Sequence, residues 1–309
     1  MSQQTLDLPP GDLPPGFDPD AAWRYHGRDW YRDRDAPAER LAGPALTKAL
    51  EFDGRAYLLT LTVPAGGGTL VMGMDSDDPV ILARARRVAL RMLGLTPALA
   101  EAAAGLEARA DQDAATARLV GNRRGYRPPL AATVFEALAW AIIGQQINLT
   151  FASDLRRQLI LLAGWRHPSG MIAHPDAAAV AGLDPALLTA RRFSRSKARY
   201  LVEAAQAAMD GRLDLAALER LDADPTGEAA AEAALLALRG IGPWTANYVL
   251  MRGCGLPDRV PVGDAGLAAA LQRFHGMDRR PTAEEQVALM RPHAPWRSLA
   301  TAHLWASLA

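Results

Sequence analysis

The stretch LRGIGPWTANYVLM, residues 238–251, interrupts a helical pattern with two glycines and a proline and then resumes it. A glycine inside a helix costs about 1 kcal/mol relative to alanine, so two of them this close indicate a deliberate break. Gly240 and Gly242 can adopt positive φ, and Pro243 suits the first position of the next helix. The stretch therefore predicts two helices joined by a very tight turn.

A turn of this kind exposes main-chain N–H groups at the start of the second helix. We expect the amides of Gly240 and Gly242, with Thr245 one turn later, to point outward. Such donors, together with the helix dipole, bind an anion such as a phosphate without any lysine. An ordinary corner between two packed helices is the alternative interpretation of Gly-x-Gly alone.

Hydrophobic patterning predicts an α+β fold class in three segments. Residues 48–74 alternate apolar and polar side chains around PAGGG, which predicts an antiparallel hairpin, and residues 79–94 predict an amphipathic helix. We predict a proline-rich lead-in (1–30), a small α+β domain with an antiparallel sheet (31–125) and an all-α domain (126–309). In the last segment, helices are expected over about 130–146, 149–163, 195–210, 227–238, 243–252, 264–274, 282–290 and 295–308.

Composition excludes some classes of protein and leaves others open. The chain has 309 residues, half of them apolar, which is enough for two cores, and it has no apolar run long enough to span a membrane. The single cysteine, Cys254, excludes an intrachain disulfide, and the six histidines lack metal-ligand spacing. We expect a monomer in a reducing cytoplasm, without a membrane or a protein partner.

The formal net charge of the chain is zero. The chain therefore lacks the surplus of basic residues that is usual in nucleic-acid-binding proteins, which argues against this function. Basic side chains are nevertheless clustered at residues 191–199 (RRFSRSKAR) and at Arg123, Arg124 and Arg127. A solvated helix face explains either cluster when it is considered by itself.

Three further stretches give the hairpin a context. VFEALAWAIIGQQIN (134–148) precedes it, DRVPVGDAGL (258–267) follows it, and PWRSLATAHLW (295–305) lies near the end of the chain. Together with the hairpin they resemble the helix-hairpin-helix DNA glycosylase superfamily, in its alkylation-repair 3-methyladenine DNA glycosylase II type. The resemblance covers most of residues 45–309, with specific motifs in 134–309. It implies a helix-hairpin-helix catalytic domain and damaged double-stranded DNA as the partner.

Asp264 is the residue for which the resemblance matters most. From its position before a helical run, Asp264 is an N-cap, a role worth about 1 kcal/mol. The resemblance implies that it is the catalytic aspartate, and the two roles are compatible. A carboxylate in a partly dry site stabilises the oxocarbenium-like sugar that forms when a base leaves, and can orient or deprotonate the attacking water.

The resemblance also implies a base pocket and a type of reaction. Lyase-competent members carry a lysine at the position of Trp244, so a monofunctional hydrolase is expected here. Trp244, Tyr248 and Trp305 would line the pocket, since electron-rich rings attract a cationic base, and Tyr25 or Trp30 would cover it. Without the family context, these rings are more simply interpreted as core residues.

The remaining expectations concern the loop that probes the DNA and a bound ion. Gln145 and Gln146 lie in the family's probing loop, where Gln146 would fill the gap left by an extruded nucleotide and Gln145 could instead bond to the main chain. The resemblance further implies a structural Na⁺ or K⁺ on the backbone carbonyls of Leu236, Leu238 and Ile241. No cofactor is expected for catalysis.

The function predicted from the sequence is the hydrolysis of the N-glycosidic bond of alkylated purines, similar to 3-methyladenine, in base excision repair after base flipping. Three alternatives remain at this point. The first is a glycosylase of the same fold for another lesion, such as an oxidised guanine. The second is a non-catalytic DNA-binding protein, and the third is a helical protein for small molecules in which the hairpin is a packing corner.

Overall fold

An antiparallel sheet forms the first part of the chain. The computed structural model describes residues 2–5, 13–14, 16–29, 35, 37–62 and 70–308. The strands of the sheet are β1 (Ser2–Thr5), β2 (Glu39–Ala42), β3 (Ala45–Phe52), β4 (Arg55–Thr62) and β5 (Val71–Met74). Their spatial order is β1-β5-β4-β3-β2.

The turn between β3 and β4 lies inside the stretch that was predicted as the first strand of the hairpin. Asp53 and Gly54 both adopt positive φ, 53° and 76°, as a two-residue turn between antiparallel strands requires. The predicted antiparallel pairing across PAGGG is confirmed by β4 and β5, but the Asp-Gly pair divides the first predicted strand into β3 and β4. The result is the succession β3–β4–β5, while the PAGGG connection lies outside the described residues.

Two helices cover this sheet, α1 (Asp20–His26) and α2 (Pro79–Met92). Their buried side chains, among them Trp23 and Met92, pack with Leu59 and Leu61 of β4 in one core. The prediction of a separate lead-in over residues 1–30 is wrong, because β1 pairs with β5 and α1 contributes to this core.

Two more helices, α3 (Pro97–Ala110) and α4 (Ala114–Val120), lie before residue 125 but pack with the end of the chain. Leu99 and Leu106 of α3 share a cluster with Leu299 of the last helix, Arg297–Ala306. The packing therefore changes well before the predicted boundary at residue 125.

The second part is helical, which confirms the predicted α+β class. A two-stranded pair, β6 (Trp165–Arg166) with β7 (Ile172–Ala173), is the exception there. None of the described helices is long and apolar enough to cross a membrane. The helices of this part are α5 (Val134–Gly144), α6 (Leu149–Ala163), α7 (Ala177–Ala181), α8 (Pro185–Thr189), α9 (Arg195–Met209), α10 (Leu215–Arg220), α11 (Glu228–Leu236), α12 (Pro243–Arg252), α13 (Ala265–His275), α14 (Ala283–Met290) and α15 (Arg297–Ala306).

A buried network of charged side chains joins the sheet to the helices. Lys48 Nζ on β3 lies 2.6 Å from Glu39 Oε1 and 3.0 Å from Glu136 Oε1 on α5. Arg156 on α6 binds both glutamates, at 2.6 and 2.9 Å, and also pairs with Asp29 just after α1. Burial by itself would raise the pKa of Glu39, but Arg156 and Lys48 outweigh it and lower this pKa to about 2. The network therefore fixes α1 and the sheet against α5 and α6.

Candidate active site

The predicted tight turn lies between α11 and α12. The Ile241 N–H donates to the Leu238 carbonyl at 3.1 Å, and Gly240 has a φ of 80°. A Cβ on Gly240 would lie 2.3 Å from the Tyr200 ring, so only glycine fits there. Gly242 is exposed, with open space where its Cβ would be, and it precedes Pro243 at the start of α12. The turn therefore presents main-chain N–H groups at a helix N-terminus, where an anion can approach.

Gln145, at the end of α5, is bonded to this turn. Its Nε2 donates to the Gly240 carbonyl at 2.9 Å and to Thr245 Oγ1 at 3.0 Å. The Thr245 side chain is 2% exposed, so the prediction that Thr245 points outward is wrong for its hydroxyl. Gln145 links the loop to the hairpin and is not available as a wedge, whereas Gln146 is exposed in the left-handed region with a φ of 55°.

Asp264 caps α13 and also accepts hydrogen bonds from two tryptophans. Oδ1 accepts from the Leu267 N–H at 2.7 Å and from Trp305 Nε1 at 3.0 Å. Oδ2 accepts from Trp244 Nε1 at 3.2 Å. The carboxylate is partly buried, and these donors fix its orientation.

Gly266 makes room for this arrangement, and we did not predict its role. A Cβ there would lie 3.1 Å from Asp264 Oδ1 and 3.3 Å from Trp305 Nε1. A side chain at this position would crowd both atoms, which would have to shift by a few tenths of an ångström. One feature of the sequence indicated this role of Gly266. A glycine in the first turn of a helix is unfavourable unless the packing around it requires one.

The predicted aromatic residues lie together beside Asp264. The Trp244 and Tyr248 ring centroids are 5.6 Å apart, and those of Tyr248 and Trp305 are 6.4 Å apart. Tyr25, from α1, hydrogen-bonds to Tyr248, and burial first and then Tyr25 raise the pKa of Tyr248 above its ordinary value. Tyr248 is therefore a neutral phenol. Trp30 lies outside the described residues.

Two arginines that we did not assign lie close to these aromatic residues. The Arg252 guanidinium is 5.1 Å from the Tyr25 centroid and 5.2 Å from that of Trp305. Arg28 is 4.9 Å from the Tyr25 centroid and 3.9 Å from that of Trp140. A role for Arg28 could have been predicted from the mixture of arginine and aromatic residues in WRYHGRDWYRD (23–33).

The basic cluster at residues 123–127 has partners inside the protein. Arg127 is buried and lies 3.0 Å from Glu107, Arg124 pairs with Asp111, and Arg123 donates to the Leu119 carbonyl at 2.8 Å. The charge of this cluster is therefore partly compensated within the protein.

The second cluster, residues 191–199, lies beside the loop that follows α5. Lys197 is buried, and its Nζ donates to the Ile143 carbonyl at 2.7 Å. The Arg192 guanidinium lies 4.8 Å from the centroid of the Phe151 ring on α6. These contacts place the cluster next to the end of α5 and the first turn of α6.

Lysine is rare in this chain. The sequence contains two lysines, Lys48 and Lys197, and both are buried and bonded to other groups. Neither lies among the residues around Asp264.

Comparisons with known proteins bear on this site. Residues 139–293 match the family described as HhH-GPD superfamily base excision DNA repair protein. The chain is 35% identical over 176 residues to DNA-3-methyladenine glycosylase of Bacillus subtilis, covering 56% of each chain. It is 32% identical over 225 residues to DNA-3-methyladenine glycosylase 2 of Escherichia coli, covering 69% of this chain and 73% of that protein. The chain thus spans little more than half the length of the Bacillus relative.

A solved structure shares the whole architecture. The 3-methyladenine DNA-glycosylase from Archaeoglobus fulgidus superposes with a TM-score of 0.79 at 22% identity, covering 99% of this chain and 97% of that chain. This likeness shows the fold of the chain, including the sheet that precedes the helical part.

Proposed function

Because the chain belongs to the HhH-GPD superfamily of base excision DNA repair proteins, we propose that it is a monofunctional glycosylase for alkylated purines similar to 3-methyladenine. The observation that carries this proposal is the Asp264 carboxylate, held by the indoles of Trp244 and Trp305 at the edge of an aromatic cluster. The names of the relatives support the lesion class. The extruded base would lie against Trp244 and Tyr248.

The proposed role of Asp264 follows from the charge that develops during the reaction. When the base leaves, positive charge grows on the sugar, and a fixed carboxylate beside it lowers the barrier. Two indole N–H donors and the Leu267 N–H keep Asp264 in one orientation, so little reorganisation is needed during the reaction. The carboxylate can also orient or deprotonate the water that attacks the sugar carbon.

The state of the two lysines supports hydrolysis without strand cleavage. A lyase forms a Schiff base between an amine and the sugar, and a lysine is the usual amine. Lys48 is 1% exposed within its ion pairs, and Lys197 is 8% exposed and bonded to a carbonyl. Trp244 occupies the position that a lysine has in the lyases that the sequence resembles.

The hairpin would hold the DNA backbone. The exposed main chain at Gly240 and Gly242 suits a phosphate, and the N-terminus of α12 adds its dipole. The last carbonyls of a helix lack intrahelical donors, and main-chain oxygens suit a monovalent cation. Leu236 ends α11, so we propose that its carbonyl, with those of Leu238 and Ile241, holds Na⁺ or K⁺ next to the phosphate. The ion would neutralise part of the phosphate charge.

The test is release of free base from a duplex that contains 3-methyladenine, followed by electrophoresis of the strand with and without alkali. The proposal predicts free base and an intact abasic strand that breaks only with alkali. Nicking without alkali would contradict hydrolysis without lyase activity. Release from 8-oxoguanine duplex only would favour the alternative lesion, and binding without any release would favour a non-catalytic protein.

A further inference from the structure

An aspartate, a histidine and a serine lie in contact, in that order, beside the antiparallel sheet. His167 Nε2 lies 2.7 Å from Asp75 Oδ2, and His167 Nδ1 lies 2.8 Å from Ser169 Oγ. Asp75 directly follows β5, whereas His167 and Ser169 belong to the turn between β6 and β7. This set of side chains is therefore separate from Asp264, which begins α13.

The main chain determines which nitrogen of His167 carries the proton. The Ser169 N–H donates to His167 Nδ1 at 3.1 Å, and a main-chain N–H can only donate. Nδ1 therefore has its lone pair free of a proton, and the proton of the neutral ring lies on Nε2, next to Asp75. Asp75 Oδ1 accepts from the Leu58 N–H at 2.8 Å, which anchors the carboxylate on β4. The basic nitrogen of the ring thus faces Ser169 Oγ.

Ser169 is exposed, whereas His167 and Asp75 are partly buried behind it. A small molecule can therefore reach Ser169 Oγ from solvent, while the imidazole and the carboxylate are partly shielded from water. Oγ also accepts from the Met171 N–H at 3.4 Å, which keeps the hydroxyl beside the ring. A hydroxyl bonded to an imidazole, with a carboxylate next to the other ring nitrogen, is the arrangement that activates a serine as a nucleophile.

The main-chain N–H groups after Ser169 restrict what this nucleophile can attack. The Gly170 N–H donates to the His167 carbonyl at 3.0 Å, and the Met171 N–H donates to Ser169 Oγ. Both groups are engaged, so they are not free to stabilise the oxyanion that forms when a carbonyl is attacked. An ester whose leaving group is already stable as an anion needs less of this help. Aryl esters should therefore react, and amides should not.

We propose that Ser169 is a nucleophile that accepts the acyl group of small aryl esters, with His167 as the general base and Asp75 as a positioning residue. Ser169 Oγ bonds to the carbonyl carbon while its proton passes to His167 Nδ1, and Nδ1 gives up this proton as the aryl oxygen leaves. Water then attacks the acyl carbon, loses a proton to Nδ1 and releases the acid, and Ser169 regains its proton. This activity involves neither DNA nor Asp264, so it is independent of the proposed function.

The reaction of the full chain with p-nitrophenyl acetate tests this assignment. The release of p-nitrophenolate gives the rate, corrected for spontaneous hydrolysis, and mass spectrometry of peptides locates the acetyl group. Wild type should carry acetyl on Ser169, and the rate should fall at least about 100-fold in Ser169→Ala and in His167→Gln. Ser196→Ala removes another exposed serine and should react as wild type does. Both lysines and Cys254 are buried, so these side chains compete little for the reagent.

Two variants of Asp75 test its role as a positioning residue. Asp75→Asn removes the charge beside His167, while its amide oxygen can still accept from the Leu58 N–H. Its rate should fall at least about tenfold, and Asp75→Glu, which keeps a carboxylate, should recover most of the loss. Thermal unfolding of each variant shows whether it is folded, and the exposure of Ser169 predicts an unchanged Tm for Ser169→Ala.

Wild type without acetyl on Ser169 would overturn this assignment, as would a folded Ser169→Ala protein that releases p-nitrophenolate at the wild-type rate. Equal acetylation of Ser169 in wild type and in His167→Gln would also overturn it, because the serine would then react without the imidazole. Since no DNA is present, a protein that fails to release 3-methyladenine can still be acetylated at Ser169. The two failures are therefore distinguishable.

Discussion

Trp305 Nε1 donates a hydrogen bond to Asp264 Oδ1 at 3.0 Å, so a residue of the last helix orients a carboxylate that begins α13. Hydrogen bonds to a charged acceptor contribute about 1.5–3 kcal/mol. Trp305→Phe keeps an aromatic ring and removes the donor. We expect the single-turnover rate of base release to fall about tenfold, with a Kd for DNA within about twofold of wild type.

Trp296→Phe is the control for this prediction, because the Trp296 ring lies against Gly105 of α3 and packs with the cluster that contains Leu99. It should leave the rate unchanged. Equal rates for Trp305→Phe and wild type would mean that the indole N–H does not matter for the reaction.

The two glycines of the hairpin should differ in what they tolerate. Gly240→Ala places a Cβ against the Tyr200 ring at a φ of 80°, and should lower the free energy of unfolding by about 2 kcal/mol. Gly242→Ala meets no atom within 4 Å and should change it by less than about 0.5 kcal/mol. The added methyl of Gly242→Ala should nevertheless weaken duplex binding, because a phosphate is expected there. Urea denaturation and a binding titration measure the two effects. Normal DNA binding by Gly242→Ala would exclude a phosphate at this turn.

Local patterns predicted α2 and most of the longer helices of the second part, but they missed α1, α3, α4, α7, α8 and α10. The hairpin, its flanking helices and the cap at Asp264 depend on glycine, proline and aspartate chemistry that acts over a few residues. The Asp53-Gly54 turn was missed, although the pair is a strong short-range turn signal. The contribution of Trp23 to the first core was also missed, because the proline-rich composition of the first residues concealed a short amphipathic helix.

The parts of the site that depend on contacts between distant segments could not be predicted from the sequence. Asp264, Trp244 and Trp305 could be brought together from the sequence only through the family resemblance. The stacking of Arg28 on Trp140, and the bond from Gln145 to Gly240, join segments that are far apart in the chain. No local pattern specifies such pairs. The internal ion pairs of Arg124 and Arg127 were hidden for the same reason, since charge clusters do not reveal their partners.

Removing one cation from the buried network of Lys48, Arg156 and their carboxylates should strongly reduce the stability of the fold. Arg156→Met leaves Asp29, Glu39 and Glu136 with less compensating charge, and should lower the free energy of unfolding by about 3–5 kcal/mol. Urea denaturation measures this. Arg212→Met, which removes an exposed partner of Asp210, should cost less than about 1 kcal/mol. A similar small loss in Arg156→Met would show that the network does not stabilise the fold.

Stability should decrease on acidification because of buried histidines. Burial first, and then Arg123 and Arg127, lower the pKa of His303 to about 3. Below about pH 6.5 the unfolded chain therefore binds a proton that the folded chain does not, and stability falls by about 1.4 kcal/mol per pH unit for this group. His26, with a pKa of about 3, and His174, with a pKa of about 4, act in the same direction.

His303→Phe isolates one of these groups while keeping a ring beside Tyr126. Between pH 6 and pH 4.5, the slope of unfolding free energy against pH should be smaller than in wild type by about 1.4 kcal/mol per unit. An unchanged slope would show that His303 does not contribute to the acid sensitivity.

Single-turnover base release by Asp264→Asn tests the central claim most directly. Asparagine caps a helix as well as aspartate does, so the start of α13 should be preserved while the negative charge is lost. With saturating enzyme on a duplex containing 3-methyladenine, the account predicts a rate at least about 100-fold below wild type, with folding and DNA binding retained. A folded, DNA-bound Asp264→Asn protein that releases the base at the wild-type rate would contradict it.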